Sequence, residues 1–176
     1  KKAENSIKKS NLVWTIIRPT MIYGSPQDRN IIKLIKWINN FPIIPVFGDG
    51  KSLQQPVYVN DVALALVDVL YNEITFYKTY NISGKDPLTF NNVIDIISKK
   101  LDRKVFKIFI PFKGIVKVLK FFEHINIYFP ISSEQIMRIN EDKSFPHNEA
   151  SKDFGFDPLS FKSGVNKEIK LFIKST

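Results

Sequence analysis

Along the chain, short apolar runs alternate with stretches whose apolar residues recur every three or four positions. The most compact run is Trp14-Thr15-Ile16-Ile17-Arg18, with a polar, helix-like segment before it and Pro19 after it. That pattern predicts a strand buried on both faces. Pro19 has no N–H for a ladder, so the strand ends there, and Gly24, Ser25 and Pro26 turn the chain. Lys1 to Ser10 reads as the end of a helix, with Ala3, Ile7 and Ser10 toward the sheet and Lys8 and Lys9 outside. A second helix is predicted over Gln27 to Asn40, with Ile31, Ile32, Leu34, Ile35 and Ile38 on its apolar face. Asp28 either caps this helix, with Arg29 exposed, or joins Arg29 and Asn30 in meeting an anion at the helix start.

In Phe41 to Gly50, two prolines and two glycines bracket a short strand. Asn60 reads as an N-cap with Asp61 in the first turn, and Asp61 as a structural residue holding the loop and helix start. Val62 to Leu70 is apolar almost all round, which predicts a helix buried against the sheet. Thr79 to Gly84 is a further strand. Thr89 caps a helix in which Phe90, Val93, Ile94, Ile97 and Leu101 keep a 3.6-residue period. Val105 to Ile110 reads as a strand and Phe112 to Phe122 as an amphipathic helix. Ser132 and Gln135 form a capping-box pattern before Ile136 and Ile139. The last helix starts at Phe161 and repeats apolar residues at Val165, Ile169 and Phe172. Strands and helices in alternation imply an α/β fold.

Composition changes this picture little. The 176 residues are enough for one sizeable core. The chain has no Cys, which removes disulfides, thiolate chemistry and Cys-based zinc sites. No uninterrupted apolar stretch reaches the length of a membrane span, and no charged segment followed by an apolar run and a small-residue cleavage site opens the chain. A cytoplasmic location is the expectation. The net charge of +9 admits nucleic acid, an anionic membrane surface or phosphorylated substrates as partners. The lysines are scattered, so a solvated lysine-rich surface is the favoured explanation, and no nucleic-acid partner is expected. Phe112 to Phe122 is the exception. Its apolar face opposes Lys113, Lys117 and Lys120, which admits contact with a membrane surface beside the plainer reading of a packed helix.

Three motifs carry a resemblance: "WTIIRPTMIYG" from Trp14, "QPVYVNDVALAL" from Gln55 and "DFGFDPLSFKSGV" from Asp153. In this order and spacing they resemble the second half of the NAD-dependent epimerase/dehydratase family, the extended short-chain dehydrogenases/reductases. The resemblance implies the C-terminal part of a Rossmann-like doubly wound parallel sheet plus a smaller α/β substrate domain. Residues 1–24 and 57–83 would end the Rossmann-like domain, and 25–56 and 84–176 would form the substrate-binding subdomain. It also implies NAD or NADP in the complete protein, a nucleotide-sugar-like small molecule as substrate, and a homo-oligomer. The chain alone is expected to be inactive.

The family's catalytic pair, Tyr-x-x-x-Lys, would lie upstream, and Lys1 matches its lysine only with a shifted spacing. Pro19 and Thr20 match positions lining the nicotinamide. Met21, Asn30, Phe47 and Gln54 match substrate-side positions. Gln54 stands where nucleotide-sugar epimerases place a phosphate-gripping Arg, so a bidentate charged contact is lost. A second substrate-gripping Arg is missing near Phe145, and Arg138 is a weak substitute. Similar "Gln-Pro-Val-x-Val-x-Asp" stretches occur in complex I accessory subunits of the superfamily, so a non-catalytic dinucleotide-binding or assembly module is the alternative. No metal site is expected: His124 and His147 are far apart, and neither has a Cys nearby. No Walker loop and no glycine-rich dinucleotide fingerprint is present.

Overall fold

The computed structural model describes residues 2–25, 27–111, 114 and 141–175. The expected Phe112–Phe122 helix, the Ser132–Gln135 capping box, Lys1, His124 and Arg138 lie outside these residues. The chain divides into two compact units. The first comprises 1–32, 55–87 and 144–176, and the second comprises 33–54 and 88–143.

In the first unit, strand β1 (Ile16–Pro19) pairs in parallel with β6 (Thr79–Ile82), Ile16 opposite Thr79 and Pro19 opposite Ile82. A second parallel pair joins β2 (Ile22–Tyr23) to β5 (Val57–Tyr58). Parallel pairing requires crossover connections, and helices supply them. Helix α3 (Val59–Val69) follows β5 directly and packs on β2 and β5. The core gathers Val57, Val62, Ala65, Tyr80, Ile82, Ala150 and Phe156. Helix α1 (Lys2–Lys8) is tied to β1 by a bidentate pair, Arg18 Nε to Glu4 Oε1 at 2.8 Å and Nη2 to Oε2 at 2.6 Å.

Two C-terminal helices complete the unit: α5 (Asn148–Phe154) and α6 (Phe161–Ser175). Gly155 ends α5 at φ 73°, the left-handed conformation that glycine adopts without steric cost. Asp153, on α5, accepts bonds from the Tyr80 hydroxyl at 2.7 Å and the Lys78 ammonium at 2.8 Å.

The second unit contains β3 (Ile43–Phe47) parallel to β8 (Phe106–Ile110), and β4 (Leu53–Gln54) antiparallel to β7 (Leu88–Thr89). Helix α4 (Phe90–Lys100) buries Val93, Ile94 and Ile97, and the Thr89 hydroxyl caps it by accepting the Asn92 N–H at 3.1 Å. Helix α2 (Ile31–Asn40) begins in the first unit and continues into the second.

Several expectations need correction. Helix α1 buries no residue, so Ala3 and Ile7 do not face a core. Strand β1 is half-buried and then exposed rather than covered on both faces. Its one ladder partner among the described residues is β6. Helix α2 starts at Ile31 rather than Gln27, because Asp28 fixes its entry: one carboxyl oxygen accepts the Asn30 N–H and the other the Ile32 N–H. Helix α3 starts at Val59, so Asn60 is inside it and not its cap. Nor is α3 buried all round. Val62 and Ala65 are covered, whereas Leu64, Leu66 and Val67 are exposed.

The two units also differ from the expected division. Residues 25–32 and 144–176 fall with the first unit. For the C-terminal segment the reason is aromatic packing: Phe161 lies against Tyr23, and Phe154 against Tyr80.

Candidate functional site

In open parallel sheets, ligands sit beyond the carboxyl ends of the strands. In the first unit that place is the exit of β1 and β6. The Thr20 N–H continues the ladder to Ile82 O at 3.0 Å, and its hydroxyl donates to Gln55 O at 2.5 Å. Both Thr20 donors are therefore committed. The Met21 carbonyl accepts the Val57 N–H at 2.9 Å. Pro19 is exposed and Met21 half-buried, so together they offer an apolar wall.

Gln55 organises this exit. It is buried, and its side chain donates to Gly84 O at 2.8 Å and accepts from the Phe145 N–H at 2.9 Å and the Ser144 hydroxyl at 3.2 Å. Gly84 passes so close to the Pro56 carbonyl that a Cβ there would collide with backbone. Beside it, the fully buried Ser83 hydroxyl bonds to Phe145 O and to His147 Nδ1, both within 2.8 Å. Burial pushes the His147 pKa down. Gln55 joins three chain segments with one amide, a role the sequence reading missed.

A second cluster lies under the β2–α2 turn. Tyr23 is 1% exposed, and its ring packs against Tyr58 and Phe161. Its hydroxyl rests on Gly164, where a Cβ would clash with it. Gly24, at φ 101°, lies equally close under the Tyr58 ring. Glu168, from α6, is 1% exposed among these groups. Burial, first, and the Asp28 charge, second, push its carboxyl up to about 8, and the Gly24 N–H acts in the opposite direction. Burial likewise raises the Tyr23 and Tyr58 hydroxyls. Asp61 spends an oxygen on the Leu159 N–H at 2.8 Å, the structural role read for it. The sequence reading missed Glu168, although its three-residue spacing from Val165 places it on the apolar stripe of α6.

The matched positions fall in both units. Pro19, Thr20, Met21 and Asn30 belong to the first, with Asn30 exposed next to the Asp28 cap. Phe47 and Gln54 belong to the second. Phe47 is half-buried at the end of β3, whereas Gln54 is buried in β4 opposite Leu88. Lys1 lies outside the described residues. Among those residues no cluster of His, Cys, Asp or Glu suits a metal ion. The sequence offers no glycine-rich turn to cradle a dinucleotide pyrophosphate.

Parallel strands joined by helices, with an open exit at their carboxyl ends, define a Rossmann-like α/β protein, and solved structures share this fold. UDP-glucose 4-epimerase of Thermotoga maritima superposes with a TM-score of 0.72 over 99% of this chain and 50% of its own, at 17% identity. UDP-glucuronic acid 4-epimerase of Bacillus cereus, solved with UDP-glucuronic acid and NAD, gives 0.67 over 92% of this chain and 46% of its own, at 20% identity.

The chain belongs to the 3-beta hydroxysteroid dehydrogenase/isomerase family, whose profile matches residues 1–112, within the extended short-chain dehydrogenases/reductases. It is 27% identical over 142 residues to the mitochondrial NADH dehydrogenase [ubiquinone] 1 alpha subcomplex subunit 9 of Arabidopsis thaliana, covering 79% of this chain and 35% of that protein. It is 30% identical over 108 residues to the UDP-glucuronate 4-epimerase of Thermodesulfobacterium geofontis, covering 59% of this chain and 33% of the relative. The chain thus spans about a third of the length of these relatives.

Proposed function

We propose that this chain acts as the C-terminal portion of an NAD(P)-dependent sugar-nucleotide epimerase, dehydratase or reductase. The observation that carries this reading is the strand exit at Pro19–Met21. It stands at a ligand-binding position of the fold and presents an apolar surface, while Thr20 and Gln55 hold its backbone rigidly. In this reading Pro19 and Thr20 border the nicotinamide, and Met21, Asn30, Phe47 and Gln54 serve the sugar-nucleotide side. The catalytic Tyr-x-x-x-Lys pair comes from a preceding segment. A homo-oligomeric, cytoplasmic enzyme is part of the same proposal.

A specific observation favours a second reading, a non-catalytic dinucleotide-binding or assembly module. Gln54 stands where a phosphate-gripping Arg would be, and it is buried in a strand pair. The likeness to the complex I subunit also covers more of this chain than the likeness to the epimerase. One experiment separates the two. The complete protein containing this chain is purified, its bound nucleotide released and identified, and the protein incubated with UDP-glucose and UDP-glucuronic acid while NMR follows the sugar protons. Bound NAD(P) with appearance of an epimer or keto sugar is the expected result. Bound NAD(P) with unchanged sugars overturns the enzyme reading in favour of the module, and absence of any dinucleotide overturns both.

A further inference from the structure

Buried polar groups in folded proteins nearly always have partners, and an exception calls for a reason. Neither carboxyl oxygen of Glu168 meets a donor in full hydrogen-bond geometry, although the side chain is 1% exposed. The Tyr23 hydroxyl beside it is equally buried and equally unpartnered. An ionised carboxylate in this position would be a charge removed from water with little beside the Gly24 N–H to offset it.

The groups around it identify where the proton goes. From the β2–α2 turn, the Asp28 carboxyl and the Gly24 N–H act on Glu168. From β2 comes the neutral Tyr23 hydroxyl. From β5 and α3 come Tyr58 and Asp61, and both tyrosines lie in the field of Glu168 and Asp61 together. On α6 itself, the Lys167 ammonium lies over the Tyr58 ring, 5.4 Å from its centre. Asp61 is engaged with the Leu159 N–H. Asp28 accepts two backbone N–H groups at the start of α2, a role suited to an ionised carboxylate. Asp28 is half-buried, whereas Glu168 is 1% exposed, so of these two neighbouring carboxyls the proton belongs to Glu168.

We propose that Glu168 is a proton-dependent latch. As a neutral acid it donates to the Asp28 carboxylate and ties α6 to the N-terminal cap of α2. As a carboxylate it repels Asp28 and frees the Gly24–Asn30 turn. The latch stands on the geometry of the first unit and does not depend on the function proposed above. If that function holds, the freed turn carries Asn30, so protonation governs a substrate-side loop.

The direction of the pH dependence follows from the raised carboxyl. Its contribution to stability is complete below its ordinary value of 4.5 and is lost as the pH rises through about 8.

The test is an NMR titration of the intact chain with ¹³C-labelled glutamate carboxyls, from acid to alkaline pH, with Glu168→Gln to assign the signal. One carboxyl should titrate near the raised value and be missing in Glu168→Gln. The Gly24 and Ile32 amide signals should shift with the same midpoint in the native chain and stay still in the variant. Asp28→Asn keeps a capping side chain and removes the opposing charge, so it should lower the midpoint by about one unit or more. Titration of Glu168 in the ordinary carboxylate range overturns the proposal. So do amide signals that ignore its midpoint, or a midpoint that Asp28→Asn leaves in place. Should either variant fail to fold, the native titration and its two reporter amides still decide.

Discussion

Helices α3 and α4 are both eleven residues long, and both are rich in aliphatic side chains. Helix α4 places its aliphatic residues on one stripe, buries Val93, Ile94 and Ile97, and begins at a threonine cap. Helix α3 carries aliphatic residues on two sides and buries Val62 and Ala65 alone, with no side-chain cap. The first is satisfied within its own unit. The second has apolar surface to spare, since Leu64 is 60% exposed and Val67 68%. The open side of α3 belongs to the same unit as β1, whose one described ladder partner is β6. Among the described residues, then, one unit combines exposed apolar surface with an unpaired strand edge, features through which chains associate.

The sharpest way to break this comparison is truncation at equivalent aliphatic positions. Ile94→Ala, at a side chain with no exposure, should cost about 2–5 kcal/mol in denaturant unfolding. Val67→Ala, measured at a dilution where the chain is monomeric, should stay within about 0.5 kcal/mol. Equal losses would mean that the open side of α3 is covered in solution. A direct measure of that covering is association. The chain should self-associate as its concentration rises, with no dispersal by salt, because apolar contact rather than charge drives it. Replacing Leu64 and Val67 together by Lys should weaken the association at least tenfold, about 1.4 kcal/mol, in light scattering. A chain that stays monomeric at every concentration, or an assembly that salt disperses, contradicts the comparison. The smallest effect expected is at the cap. Thr89→Ala should lower stability by about 1 kcal/mol by thermal melting, whereas Asn60→Ala in α3 should leave it nearly unchanged.

The same two helices show what the sequence made legible. Helix α4 was readable because every signal for it is local: a capping hydroxyl, a 3.6-residue period and a polar opposite face. Helix α3 was half readable. Its existence was plain, but its start was misplaced because the two-residue strand β5 runs straight into it and leaves no room for a cap at Asn60. Its burial was overstated because an apolar composition shows what a helix is able to cover, and not what is present to cover it.

At the candidate site, the strand exit after Pro19 was legible from the apolar run and the proline. Gln55 was not, since its side-chain partners, Gly84 and Ser144–Phe145, come from two distant parts of the chain. Glu168 carries no motif of its own in the sequence of α6. Only its spacing from Val165 and Ile169 marked it as inward-facing. The compact units group the chain in a way the sequence did not show for a related reason: aromatic residues near the C-terminus pack on strands formed by its first half.

That division has a consequence for synthesis on the ribosome. Asp61, in the first turn of α3, receives its partner Leu159 from 98 residues further along the chain. At roughly 5–20 residues per second of translation, α3 waits on the order of 5–20 s for the segment that closes its unit. During that interval its covered side lacks the Ala150 and Phe156 side chains that complete the core. The nascent chain thus presents a greasy, incompletely covered helix before the aromatic tail arrives, and holdase chaperones that bind such segments have their best opportunity there.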